Sequence, residues 1–262
     1  MREKKSSPRR IFIVVSLLLS ATFFTACGAH ADKAVTRTDK AKTPILLFTG
    51  TGTSPGDVKA IETILANNHL DFSTVSSSEL NGMDEKDLRR YLLLIIPGGN
   101  FVDIGDNLTI ATTANVREAV RNGLNYLGVC AGAFLAGNFP SPYKSLNLTS
   151  GVKFGFYADE NRGIRKSAVA ITVAEGPTLE QYWEDGPQLA GWGAVVGKYP
   201  DGTPAIIEGT YGNGWVILTG VHAEAPESWR RGMTFNTSAT EDNTYAGTLI
   251  LAALNRTSLS HF

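Results

Sequence analysis

The chain has 262 residues, of which 43% are hydrophobic and 19% charged, a balance that supports one sizeable packed domain and excludes wholesale disorder. The formal net charge is −1, which gives no electrostatic reason for a nucleic-acid partner, and no basic patch with interleaved aromatics is present. Two cysteines, Cys27 and Cys130, exclude a disulfide framework.

The first 27 residues read as a targeting segment. "MREKKSSPRR" is a basic n-region, "IFIVVSLLLSATFF" an apolar h-region, and small residues lead to Cys27. This is the pattern of a bacterial lipoprotein signal, with cleavage before Cys27 and lipid on its thiol. Phe24 stands where such signals usually carry Leu, so a plain secretory signal or an uncleaved membrane helix stays open. Lipidation would place the protein in the cell envelope, anchored to a membrane and facing the periplasm or exterior. It would also leave Cys130 without an intramolecular partner. Residues 28–43 are small, polar and aperiodic, a tether.

From residue 44 strand-like and helix-like runs alternate, and a domain is expected over 44–256. Ile45–Gly50 is a continuous apolar run of the kind buried on both faces of a sheet. Ser54 is a good N-cap with Pro55 at the first helical position, and Val58, Ile61, Ile64 and Leu65 form one apolar face. Asp71–Val75 and Tyr91–Gly99 are further strands. A Thr-capped helix over about Thr113–Asn122 precedes a fourth strand, Leu124–Val129, and "AGAFLAG" opens another helix. This alternation predicts an α/β domain, a doubly wound, mostly parallel sheet of flavodoxin-like type. The second half differs. "SAVAITV", "WGAVVGKY", "AIIEGTY" and "WVILTGV" are strand-like, with turns at Asp201-Gly202 and Asn213-Gly214, and predict an antiparallel extension. "TYAGTLILAALNR" closes the domain as a helix.

Ligands of open α/β sheets bind at the C-terminal ends of the strands. Cys130 falls there, between Gly128 and the run Ala131-Gly132-Ala133, the small residues that a sharp strand-to-helix turn needs. A helix N-terminus favours a thiolate. The amide of Ala131 and the "PGGN" turn with Gly98 and Gly99 could together form an oxyanion hole. Of the four histidines, His222 lies just past an apolar strand, with Glu224 two residues on to orient it. Cys130, His222 and Glu224 thus form a candidate triad; a buried Cys and a loop His are the bland alternative. The acids of "YWEDGPQL" could line a pocket wall or lid. "TGTGTSPG" lacks the Lys of a P-loop, and no His/Cys cluster has zinc spacing, so neither cofactor nor metal is expected.

"LLLIIPGGN", "NYLGVCAGAFLAG", "GVHAEAPE" and "YWEDGPQL" together resemble the class I glutamine-amidotransferase-like superfamily, and within it the biotin-protein ligase N-terminal domain family. The resemblance covers roughly Pro44–Leu254. It implies Cys130 as nucleophile, His222 as base and Glu224 as its orienter. Two departures stand out. Phe134 replaces the Gln that true glutamine amidotransferases carry near the elbow, and Ala223 replaces the Pro of His-Pro-Glu. Glutamine hydrolysis is therefore not expected, and with no ligase region present, neither is biotin ligation. Three functions remain open: Cys-dependent hydrolysis or acyl transfer on a small amide or peptide, a ligand-binding pseudoenzyme, or a redox or stress protein using Cys130. The oligomeric state is not legible.

Overall fold

The computed structural model describes residues 43–262 except 162 and 164. The signal segment, Cys27 and the tether up to residue 42 lie outside the described residues. Among those described, no helix is long and apolar enough to cross a membrane.

The first half runs β1 (Ile45–Phe48), α1 (Pro55–Asn67), β2 (Phe72–Val75), the short helices α2 (Ser77–Asn81) and α3 (Glu85–Leu88), β3 (Leu93–Ile96), α4 (Phe101–Asp106), α5 (Ile110–Arg121), β4 (Asn125–Val129) and α6 (Ala131–Ala136). The second half runs β5 (Gly155–Phe156), β6 (Lys166–Val173), β7 (Thr178–Glu184), β8 (Pro187–Gln188), β9 (Ala194–Lys198), β10 (Pro204–Tyr211), β11 (Gly214–Thr219) and α7 (Ala239–Asn255). One nine-stranded sheet has the order β2-β1-β3-β4-β11-β10-β9-β6-β7. Strands β2 through β11 in that order are mutually parallel, and every pairing beyond β11 is antiparallel. The expected mostly parallel sheet with an antiparallel extension is the observed fold.

Strands β1 and β3 are apolar at every position because the central parallel strands feed two cores. Leu46, Phe48, Leu94, Ile96, Tyr126 and Leu218 pack on the side of α4, α5 and α6. Ile45, Leu47, Leu93, Ile95, Leu127 and Ile217, alternating with them, pack on α1 and α7. In α1, Ile61, Ile64 and Leu65 are buried as the periodicity requires, and Ser54 caps the helix by accepting from Asp57 N.

Three boundaries move, each for a local reason. Helix α5 begins earlier than expected because Thr109, not Thr113, is the cap, its hydroxyl accepting from Thr112 N at 3.0 Å. Helix α7 also begins earlier, at a capping box in which Ser238 and Glu241 satisfy each other's backbone. Strand β3 starts at Leu93, after Leu92 N and Leu93 N both turn to Pro44 O.

Two pairings position the site. β11 lies beside β4 and parallel to it, in register Thr219↔Val129, so the segments after both strands leave the same edge of the sheet. The β6–β7 hairpin reaches back over that edge, where His222 N donates to Tyr182 O at 2.8 Å.

Candidate active site

Cys130 follows β4 directly and stands before the first residue of α6 with φ 47° and ψ −100°. Few L-residues adopt that region, at a cost on the order of 1–3 kcal/mol. The turn is fixed from both sides: Cys130 N donates to Thr219 O at 2.8 Å, and its carbonyl accepts from Phe134 N at 3.0 Å. It also presses α6 onto β3. A Cβ on Gly132 would stand 2.0 Å from Ile96 O, so only glycine allows the approach. This geometry predicts an inversion of ordinary propensity. Cys130→Gly will be more stable than Cys130→Ala by about 1–2 kcal/mol, because glycine relieves the strain and alanine keeps it. Parallel denaturant titrations of the two variants check this; equal stabilities would mean that the elbow is unstrained.

His222 leaves the sheet three residues after β11. It is buried, at 4% exposure, with Asp57 and Glu224 equally enclosed at 4% and 3%. Its Nδ1 lies 2.8 Å from Glu224 Oε1 in a hydrogen bond. Asp57 Oδ1 stands 3.0 Å from the same nitrogen. One ring N–H cannot point at both, and Asp57 Oδ1 is held by charge without a hydrogen bond. Gly98 makes room for this pair. A Cβ there would fall 2.3 Å from Asp57 Oδ1 and 2.7 Å from His222 Cε1. The rings of Tyr182 and Trp229 meet the imidazole edge-on, with centroids at 5.8 and 5.9 Å. Among the described residues Nε2 has no hydrogen-bond partner.

The three charges set one another. Burial opposes a charged His222, but the facing charges of Glu224 and Asp57 outweigh it, so the imidazole titrates well above its usual range. Burial also opposes ionised Asp57, yet the His222 charge beside it holds it below the usual carboxylate range. Asp57 further benefits from its place in the first turn of α1. Glu224 is raised, since burial and the Asp57 charge together exceed what His222 returns. The cluster is thus an imidazolium between one firm carboxylate and one that ionises with difficulty.

Cys130 and His222 line one cavity of about 450 Å³, together with Gly99. Phe101, Phe134 and Phe156 form its apolar wall, with Phe134 4.9 Å from Phe101 and 4.8 Å from Phe156 between ring centroids. Glu184 and Asp185 line the same cavity, so the acids of "YWEDGPQL" belong to a pocket wall. Cys130 Sγ donates to Glu184 O at 3.7 Å, and no hydrogen bond joins it to His222. The amides of Gly98, Gly99 and Ala131 donate no hydrogen bond among the described residues. Those of Gly99, on the cavity wall, and Ala131, beside the thiol, suit an oxyanion.

The structure therefore brings Cys130, Gly99 and His222 to one cavity and puts Glu224 behind the histidine. It adds Asp57, which the sequence reading missed. An acid in a first helical turn reads as an ordinary dipole partner; its one further signal was the position beside a capping Ser at the C-terminal edge of β1. Asp57, His222 and Glu224 are also the set of donors that could hold a metal ion, lying within 4.8 Å of one another. Their distances of 2.8 and 3.0 Å on Nδ1 are those of a shared proton and an ion pair.

The family model described as "Biotin-protein ligase, N terminal" matches residues 43–170, a span that holds Asp57 and Cys130 and stops short of His222. No curated protein matches the chain in sequence. A crystal structure of a glutamine amidotransferase is similar over 80% of this chain and 98% of that one, with TM-score 0.57 and 18% identity. PurLQS from Thermotoga maritima is similar over 80% of this chain and 99% of that one, with TM-score 0.55 and 16% identity. Residues 43–170 are thus similar to the biotin-protein ligase N-terminal family, and the described part of the chain shares the fold of these amidotransferase structures.

Proposed function

We propose that the protein is a cysteine-dependent amide hydrolase or acyl transferase acting on a small amide or peptide. One observation carries this reading: a cysteine in a strained elbow shares a cavity with a histidine whose Nδ1 faces two buried carboxylates. A histidine charged at rest lets the thiol ionise next to a compensating cation.

The steps follow from these groups. Sγ leaves the Glu184 carbonyl, releases its proton to solvent and, as a thiolate beside the imidazolium, attacks the substrate carbonyl carbon. The carbonyl electrons move to its oxygen, which the Gly99 and Ala131 amides stabilise. Collapse of the adduct breaks the C–N bond, and the amine departs with the proton of His222 Nε2. The now neutral imidazole takes a proton from water, hydroxide adds to the thioester, and the acid leaves as the thiolate is regenerated. Glu224 and Asp57 act through His222 as positioning residues. Phe134, in place of an amide side chain, makes the acyl pocket apolar and disfavours glutamine.

Ligand binding without turnover is the second reading, favoured by the bond from Sγ to Glu184 O instead of to His222. Iodoacetamide separates the two. An activated thiol will alkylate faster than a model thiol near neutral pH, and His222→Gln will slow it at least about 10-fold, the range of general acid–base assistance and thiolate activation. A slow thiol, indifferent to His222, would leave the cavity a binding site only.

A further inference from the structure

Behind the catalytic cavity lies a second one of about 490 Å³ that shares Ser54, Asp57, Glu184 and His222 with it. His222 is therefore a common wall. Cys130 lines the first cavity and not the second, while Lys166, Arg231 and Trp229 line the second and not the first. Lys166 and Arg231 are exposed, and among the described residues neither forms an ion pair. Lys166 is the direct cross-strand partner of Glu184, whose Oε2 is already taken by the Tyr182 hydroxyl at 2.5 Å.

The loop that presents Arg231 and Trp229 is anchored from inside. The neighbouring Arg230 is buried, lies 3.6 Å from Asp242 of α7, donates to Thr237 O and stacks on the Phe235 ring at 3.8 Å. Trp229 packs on Gly56 at the start of α1 and on Tyr182 at 5.4 Å. Two cations without ion pairs among the described residues thus line the chamber that His222 and the Trp229 ring also line.

Chemistry orients the substrate across these two chambers. The acyl carbon must meet Sγ, on the side with the Phe101–Phe134–Phe156 wall. The departing nitrogen must meet Nε2 of His222, and because His222 lines both chambers the second one is open to its substituent. We propose that this substituent is a carboxylate-bearing amino acid residue, its anion held by Lys166 and Arg231 and its side chain resting on Trp229. The substrates are then N-acyl amino acids, or peptides with a free terminal carboxylate, that carry an apolar acyl group. This inference rests on the proposed role of Cys130 and His222.

Protection of Cys130 from iodoacetamide tests it without requiring turnover. The probes are N-phenylacetyl derivatives of glycine, leucine and phenylalanine, each as the free acid and as the methyl amide. We expect the acids to protect, the methyl amides to need about 10-fold higher concentration or more, and the Lys166→Gln/Arg231→Gln double variant to lose the preference, as for hydrogen bonds to a charged group. Equal protection by acid and amide, protection by neither, or a preference that survives in the double variant would overturn the inference. Alkylation without ligand reports on the thiol itself, so a His222-dependent rate with no carboxylate preference would sink this inference and leave the proposed chemistry standing.

Discussion

Cys130→Ala will lower turnover of any amide the protein hydrolyses by at least about 10⁴-fold, the scale seen when the nucleophile of a unit of interdependent catalytic residues is removed. Stability will change by only about 1 kcal/mol, since the variant deletes one buried sulfur and keeps both the strained backbone and its two hydrogen bonds. Amine release from a panel of small N-acyl amides, followed for wild type and variant with thermal unfolding as a control, checks both parts. Turnover that survives the substitution would remove Cys130 from the chemistry and redirect attention to the acidic wall of the same cavity. The elbow itself argues for the expected result. Its strained dihedrals are kept although Gly128 and Gly132 beside it show that the chain uses glycine freely in this turn, and a purely structural residue at φ 47° would be better served by glycine as well.

Much of this arrangement is legible before any coordinates, and the parts that are not share a cause. Strands β1 and β3 announce themselves because burial on both faces makes them continuously apolar. Cys130 stands out because the elbow demands small neighbours at fixed offsets, and Gly132 does lie where no Cβ fits against Ile96 O. His222 is found by the same local logic, as a polar residue just past an apolar strand. What fails is whatever depends on pairing distant segments. Nothing in "WVILTGV" says that β11 inserts between β4 and β10, though this register alone brings His222 to the edge that carries Cys130. Nothing in α1 says that Asp57 is buried against an imidazole from the far end of the chain. Strand β7, with Glu180 and Gln181 inside it, lacks a clean apolar alternation and becomes a strand through seven cross-strand partners in β6.

His222→Ala will destabilise the fold by about 3–5 kcal/mol near neutral pH, the cost of stripping a buried ionic cluster of one partner. The pH dependence identifies the cause. In the wild type, His222 is raised above its ordinary 6.5, so its contribution is complete below that value and is lost only as pH climbs through the raised one. Asp57 is lowered from 3.8, so its contribution is present above 3.8 and is lost as pH falls through the lower value. The His222 and Asp57 contributions are therefore both present between 3.8 and 6.5, while Glu224, raised above 4.5, subtracts stability as it ionises. Without the imidazolium, Asp57 and Glu224 become two buried acids facing each other, and both are pushed up. Raised acids cost stability above their unfolded values, so the penalty of the variant will be smaller at about pH 4 than at about pH 7. Adding Asp57→Asn removes one of the stranded charges and will recover at least about 1 kcal/mol at neutral pH, a coupling expected of residues in direct contact. Urea titrations of the wild type, the single variants and the double variant at both ends of this pH range measure each term. A penalty that is the same at both ends would show that His222 acts there by packing between Tyr182 and Trp229, and that the two carboxylates are not what holds its charge.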